Sequence, residues 1–163
     1  TEAQAAFGRV QLKKIEKILK SFRNNAKYVI KKLPIGIEPP HISNKVDHSF
    51  LMIGCLYSEK EIGVSRQKFL KRLTENRQHI LQKDEKSDIK GINMKSGKLI
   101  GTGYAKPLYD VPIYKKMKPK RGCPNVEEII SKSLWMDIHK FKKQNEISEE
   151  IDIIKETIKE FQK

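Results

Sequence analysis

A chain of 163 residues carries 34 Lys and Arg against 20 Asp and Glu, for a formal net charge of +14. That length suits one domain with a real core. No apolar run is long enough to cross a membrane, and the two cysteines are too few and too far apart for a disulfide framework, which fits a reducing, cytoplasmic setting.

The opening stretch, TEAQAAFGRVQLKKIEKILKSF, reads as a capped helix. The Thr1 hydroxyl can accept from the Gln4 amide, and the Gln4 side chain can reach back to the cap. Apolar residues follow at three- and four-residue steps: Phe7, Ile15, Ile18, Leu19, Phe22, Ala26, Val29, Ile30 and Leu33. This spacing predicts one long helix buried along a single stripe and ended by Pro34. Arg9, Lys13, Lys17, Lys20, Lys27 and Lys31 fall on the opposite face. Ala3, Ala5, Ala6 and Gly8 leave the first turns thin, which fits either a close backbone approach or good helix formers beside a tolerated glycine.

Residues 34–47 are rich in proline and aperiodic, hence a loop. Ser49–Tyr57 is a continuous apolar run of strand length. Ser65 is placed to cap a helix whose face is Phe69, Leu70 and Leu73. Residues 79–103 carry Gly91, Gly97, Gly101 and Gly103 and little period, which predicts an irregular loop with one short hairpin at Ser96-Gly97. YAKPLYDVPIYKK reads as extended. Pro124 opens a helix with Glu127 and Glu128 in its first turns, where the dipole favours acids. Leu134–Ile138 is a strand, and Ser148 caps a last helix carrying Ile151, Ile154, Ile158 and Phe161. The order gives an α+β class: a small sheet covered by helices.

No complete catalytic constellation follows from spacing. Gly101-Thr102-Gly103 lacks a third glycine and a following helix, so it reads as a turn. Ser65-x-x-Lys68 lacks companion motifs. His41, His48, His79 and His139 show no metal-ligand spacing. Cys55 lies in an apolar run and reads as a small buried residue. The densest basic cluster, Lys115, Lys116, Lys118, Lys120 and Arg121, reads as an exposed loop. No aromatic residues interleave with it, which disfavours nucleic acid as a partner. Tyr104 to Tyr114 combines proline-fixed backbone with tyrosine hydroxyls, a composition suited to holding a polar small molecule such as a sugar. On composition alone, tyrosines packing the loop onto the sheet account for it better.

Five segments, in order, resemble the C-terminal portion of the DegT–StrS family of pyridoxal-phosphate sugar aminotransferases, of fold type I. They are TEAQAAFGRVQLKKIEKI, HSFLMIGCLY, GVSRQKFLKRL, YAKPLYDVPIYKK and GCPNVEEIISKSLWMDIH. The resemblance implies a connecting helix over 1–33 and a small domain over 34–163. Residues 79–103 are longer than the family's usual link, Asp137 stands where proline is common, and 140–147 is idiosyncratic. The implied activity is amination of a keto-sugar, often nucleotide-linked, or a keto-cyclitol, with glutamate or glutamine as donor. The family's Schiff-base lysine and most of its phosphate-cup residues have no counterpart here, so this chain alone is expected to be inactive. Tyr104, Lys106, Pro107 and Tyr109 are expected to line the substrate entrance, Lys106 meeting a phosphate or carboxylate. Thr1 and Glu2 are expected at the cofactor edge, and the implied assembly is a homodimer. The alternative is a stand-alone basic module that binds an anionic partner such as nucleic acid. No metal is expected.

Overall fold

The computed structural model describes residues 1–84, 100–101, 106–117, 122–138 and 144–162. Their architecture is α+β, as expected. The predicted hairpin at Ser96-Gly97, the Thr102-Gly103 turn, Tyr104 and His139 lie outside the described residues.

Among the described residues, the sheet has four antiparallel strands in the order β1-β2-β4-β3: β1 Ile37–Glu38, β2 Ile53–Tyr57, β3 Ile100–Gly101 and β4 Ser133–Met136. The alternation of β2 sends Ile53, Cys55 and Tyr57 inward. Its register sets Ile53 opposite Met136 and Cys55 opposite Leu134, so both strands present apolar residues to one face. Ile100 pairs with Met136, and Ile37 with Tyr57, extending that face to both edges.

Helices cover it. The second helix, α2 (Ile15–Lys32), buries Ala26 and Val29. The short α3 (Glu59–Ile62) buries Ile62, and α4 (Arg66–Asp84) buries Phe69 and Leu73. The last helix, α7 (Gln144–Phe161), buries Ile147, Ile151, Ile154 and Ile158, a stripe of three- and four-residue steps. α4 and α7 are also joined by polar contacts: Arg72 to Glu160 at 2.6 Å, Asn76 to Thr157 at 3.0 Å, and a nearly buried Arg77–Glu150 pair at 2.8 Å. Gly36 is required where the chain turns into β1. Its φ is +88°, and a Cβ there would overlap the buried Ile62 side chain.

Several expectations need correction. The first helix is not continuous: α1 (Glu2–Leu12) ends where the Lys14 amide bonds three residues back, to Gln11, at 2.9 Å. The predicted stripe is buried only at its C-terminal end. Phe7, Ile15 and Ile18 are exposed, and α1 buries nothing. Gly8 has no neighbour within 4 Å of where a Cβ would stand, so among the described residues no other backbone approaches it closely. The loop predicted from His79 begins later, because α4 runs on to Asp84. No glycine interrupts it before Gly91. The extended reading of residues 104–116 fails where they are described. Leu108–Asp110 is a 3₁₀ turn and Pro112–Lys115 a short helix, α5. Proline's fixed φ suits a first helical position as well as an extended path, and Pro112 takes it. Ser148 lies inside α7 and caps nothing, since the helix starts four residues earlier.

Candidate functional site: the 106–117 loop and its support

The loop expected to meet substrate sits beside α6 (Pro124–Lys132), which leads directly into β4. α6 starts at Pro124, and its C-terminal carbonyls are held from outside. The Arg66 guanidinium donates to the carbonyls of Ile130 at 2.8 Å and Ser133 at 2.7 Å. A cation at a helix C-terminus also complements its dipole. Arg66 thus joins two of the five family-like segments, GVSRQKFLKRL and GCPNVEEIISKSLWMDIH.

A third segment joins through Tyr109. Its hydroxyl donates to Glu127 Oε1 in the first turns of α6. That hydrogen bond to a carboxylate raises the phenol to about 12, with burial and the Glu127 charge adding to it. Lys106 is exposed, Pro107 and Tyr109 are half-buried, and the three lie within one short turn. The structure therefore brings together three of the four expected substrate residues, the fourth being Tyr104. Glu127, the partner of Tyr109, was missed. Its sequence signal, an acid in the first turns of a helix, read only as complementing the dipole.

The second segment, at His48–Phe50, forms a turn. The Phe50 amide donates to His48 Nδ1 at 2.9 Å, and Phe50 takes a φ of 54° while burying its ring. The His48 carbonyl accepts from Arg23 Nε at 3.2 Å, and Asp47 pairs with the same guanidinium at 2.8 Å. This histidine shapes a turn onto α2. His41 is exposed. Among the described residues no cluster of three or more His, Cys, Asp or Glu could hold a metal.

Thr1 and Glu2 are exposed at the tip of α1. The expected capping box is present: Thr1 Oγ1 accepts from the Gln4 amide at 3.3 Å, and the Thr1 amine donates to Gln4 Oε1 at 2.9 Å. Those groups are therefore already engaged. Pyridoxal phosphate needs a sheltered lysine for its imine, an acid for its ring nitrogen and donors for its phosphate. The described residues do not fit that set. Glu16, Lys17, Lys20, Arg23, Asn24 and Lys27 line an open groove of about 500 Å³, but all six lie on α2 and none shields a lysine from water. Among the described residues, Lys13, Lys17, Lys20, Lys27 and Lys31 have no carboxylate within ion-pair distance. Like charges at these spacings cost about 0.2–0.5 kcal/mol per pair.

Cys55 is buried, and burial pushes its thiol up to about 12, which makes it inert; Cys123 is exposed. No described helix is long and apolar enough to cross a membrane. No protein-family model matches the chain, and no curated protein matches it.

Proposed function

We propose that this chain is the small domain of a pyridoxal-phosphate-dependent aminotransferase that aminates a keto-sugar, often nucleotide-linked, or a keto-cyclitol, from glutamate or glutamine. The observation that carries the reading is the uncovered apolar side of α1 and the start of α2. Phe7, Val10 and Leu12 are exposed on α1, and Ile15 and Ile18 at the start of α2, whose C-terminal half packs into the core. A cluster of exposed large apolar side chains fits a further body. A connecting helix lying against a cofactor domain accounts for it. The hydrogen bonds that tie the family-like segments to one another support the same reading.

In this proposal the chain supplies the substrate side. Lys106 offers a cation to a phosphate or carboxylate, and Tyr109 borders the entrance. Thr1 and Glu2 touch the cofactor at most at its edge. The Schiff-base lysine and the phosphate cup belong to another part of the enzyme, and the assembly is a homodimer through that part.

The test is the intact mass of the polypeptide in its source cell, followed by an assay for 2-oxo acid production from glutamate. A mass well above 18.9 kDa, with glutamate-dependent amination of a keto-sugar, is the expected result. A native mass of 18.9 kDa would sink the proposal. The anionic-partner reading would then lead, with the lysine groove of α2 as its surface.

A further inference from the structure

Loop 106–117 is not held in place by burial. None of its residues with a described side chain is buried, and Leu108, Ile113, Tyr114 and Met117 turn large apolar side chains toward solvent. Its internal hydrogen bonds are local: Asp110 to Pro107, Val111 to Leu108, Tyr114 to Val111 and Met117 to Tyr114. They shape the loop but do not attach it. A segment with few buried contacts takes its position from the polar contacts that reach a rigid neighbour.

The neighbour is α6, which buries none of its own residues but is anchored at its C-terminal end. Arg66 grips its last carbonyls, and it runs without a break into β4, where Leu134 and Met136 are fully buried. Asp110 has a further partner of its own, and among the described residues the side-chain hydrogen bond that crosses from loop to helix is Tyr109 to Glu127. It joins a phenol to a carboxylate, the stronger kind of hydrogen bond.

We infer that Tyr109 and Glu127 form a latch that holds loop 106–117 on α6 and thereby fixes where Lys106 is presented. Glu127 is then a positioning residue, acting through Tyr109 and touching no substrate. The clause about Lys106 and substrate rests on the proposed function; the latch itself does not. The groups facing the phenol oxygen are the Glu127 carboxylate and, from the turn before α6, the Cys123 amide and thiol. A phenol flanked by a carboxylate keeps its proton to high pH, so the latch stays closed through the physiological range.

Hydrogen exchange of the loop amides tests this directly on the 163-residue chain. Tyr109→Phe removes only the hydroxyl, and Glu127→Ala only its partner. Each is expected to speed exchange at Asp110, Val111 and Tyr114 about tenfold, the worth of one charge-assisted hydrogen bond. The double variant should do no more than either single one. Glu128→Ala is the control, because that carboxylate pairs with Lys132 at 2.7 Å, within α6. Ultraviolet titration of the tyrosines gives a second readout: one phenol should fall from about 12 toward its ordinary 10.0 in Glu127→Ala. Unchanged exchange in both single variants, or an unchanged titration, overturns the latch. In the full-length enzyme, KM for the keto substrate should rise with kcat nearly constant. Faster exchange with an unchanged KM would leave the latch standing and remove the substrate role of the loop.

Discussion

The N-terminal limb, α1 and the start of α2, and the packed body both carry large apolar side chains on helices and meet opposite fates. In α7, Ile151 and Ile154 are 0% and 2% exposed. In α1, Phe7 and Leu12 are 66% and 69% exposed. The α7 stripe recurs at three- and four-residue steps, as does α2 from Ile15 and Ile18 to Ala26 and Val29, whereas Phe7, Val10 and Leu12 of α1 stand three and two residues apart. Periodicity therefore says which side of a helix is apolar, and only the neighbours decide whether it is buried. In α2 the change falls within one helix, from an exposed Ile15 and Ile18 to a buried Ala26 and Val29.

Substitution at matched positions would break this comparison most sharply. Ile154→Ala removes a buried side chain and leaves a cavity, so urea unfolding should show a loss of about 2–5 kcal/mol. Phe7→Ala in the same chain should change stability by no more than about 0.5 kcal/mol. Equal losses would mean the limb is packed after all. In a complex that covers the limb, Phe7→Ala should weaken association instead.

Alkali should act on the body alone. Burial pushes the Cys55 thiol up to about 12 from its ordinary 9.0. It does the same to the Tyr57 phenol from 10.0, with the Glu59 charge adding to it. The Tyr57 hydroxyl also donates to the Val64 carbonyl at 2.7 Å. Both groups have folded pKa values above their unfolded ones, so the folded state holds protons that the unfolded state releases. Their contribution is complete below pH 9 and is lost as pH rises toward 12. The urea midpoint should fall across that window while near-neutral values stay level. A midpoint flat to pH 12 would show that these two groups do not couple to folding.

The smallest effect belongs to the cap. Thr1→Ala removes a hydroxyl that accepts from the Gln4 amide, a change of about 1 kcal/mol in the local helix. Circular dichroism should show fraying of α1 with the unfolding midpoint unchanged, since α1 buries nothing. A shifted midpoint would place the limb in the cooperative unit.

Much of the fold was legible. The capping box at Thr1 needs only residues three apart. β2 lies within the predicted apolar run, β4 overlaps the predicted strand but starts one residue earlier and ends two earlier, and α6 starts at the predicted Pro124 because proline is suited to that position. The break at Lys13 and Lys14 was not legible, because lysine is a good helix former and marks no boundary. Neither was the path of loop 106–117, since proline opens helices and extended segments alike. Of the candidate site, Lys106, Pro107 and Tyr109 could be named as neighbours in sequence. Glu127 could not, because eighteen residues separate it from the phenol it accepts from.

The sequence by itself determined the local terms: the cap, the apolar faces, the strand alternation and the excess of lysine. Each depends on residues a few positions apart. The tertiary structure decided which apolar faces were covered, which guanidinium gripped α6, and which carboxylate received Tyr109. Those outcomes depend on segments brought together by the sheet, and no local spacing contains them.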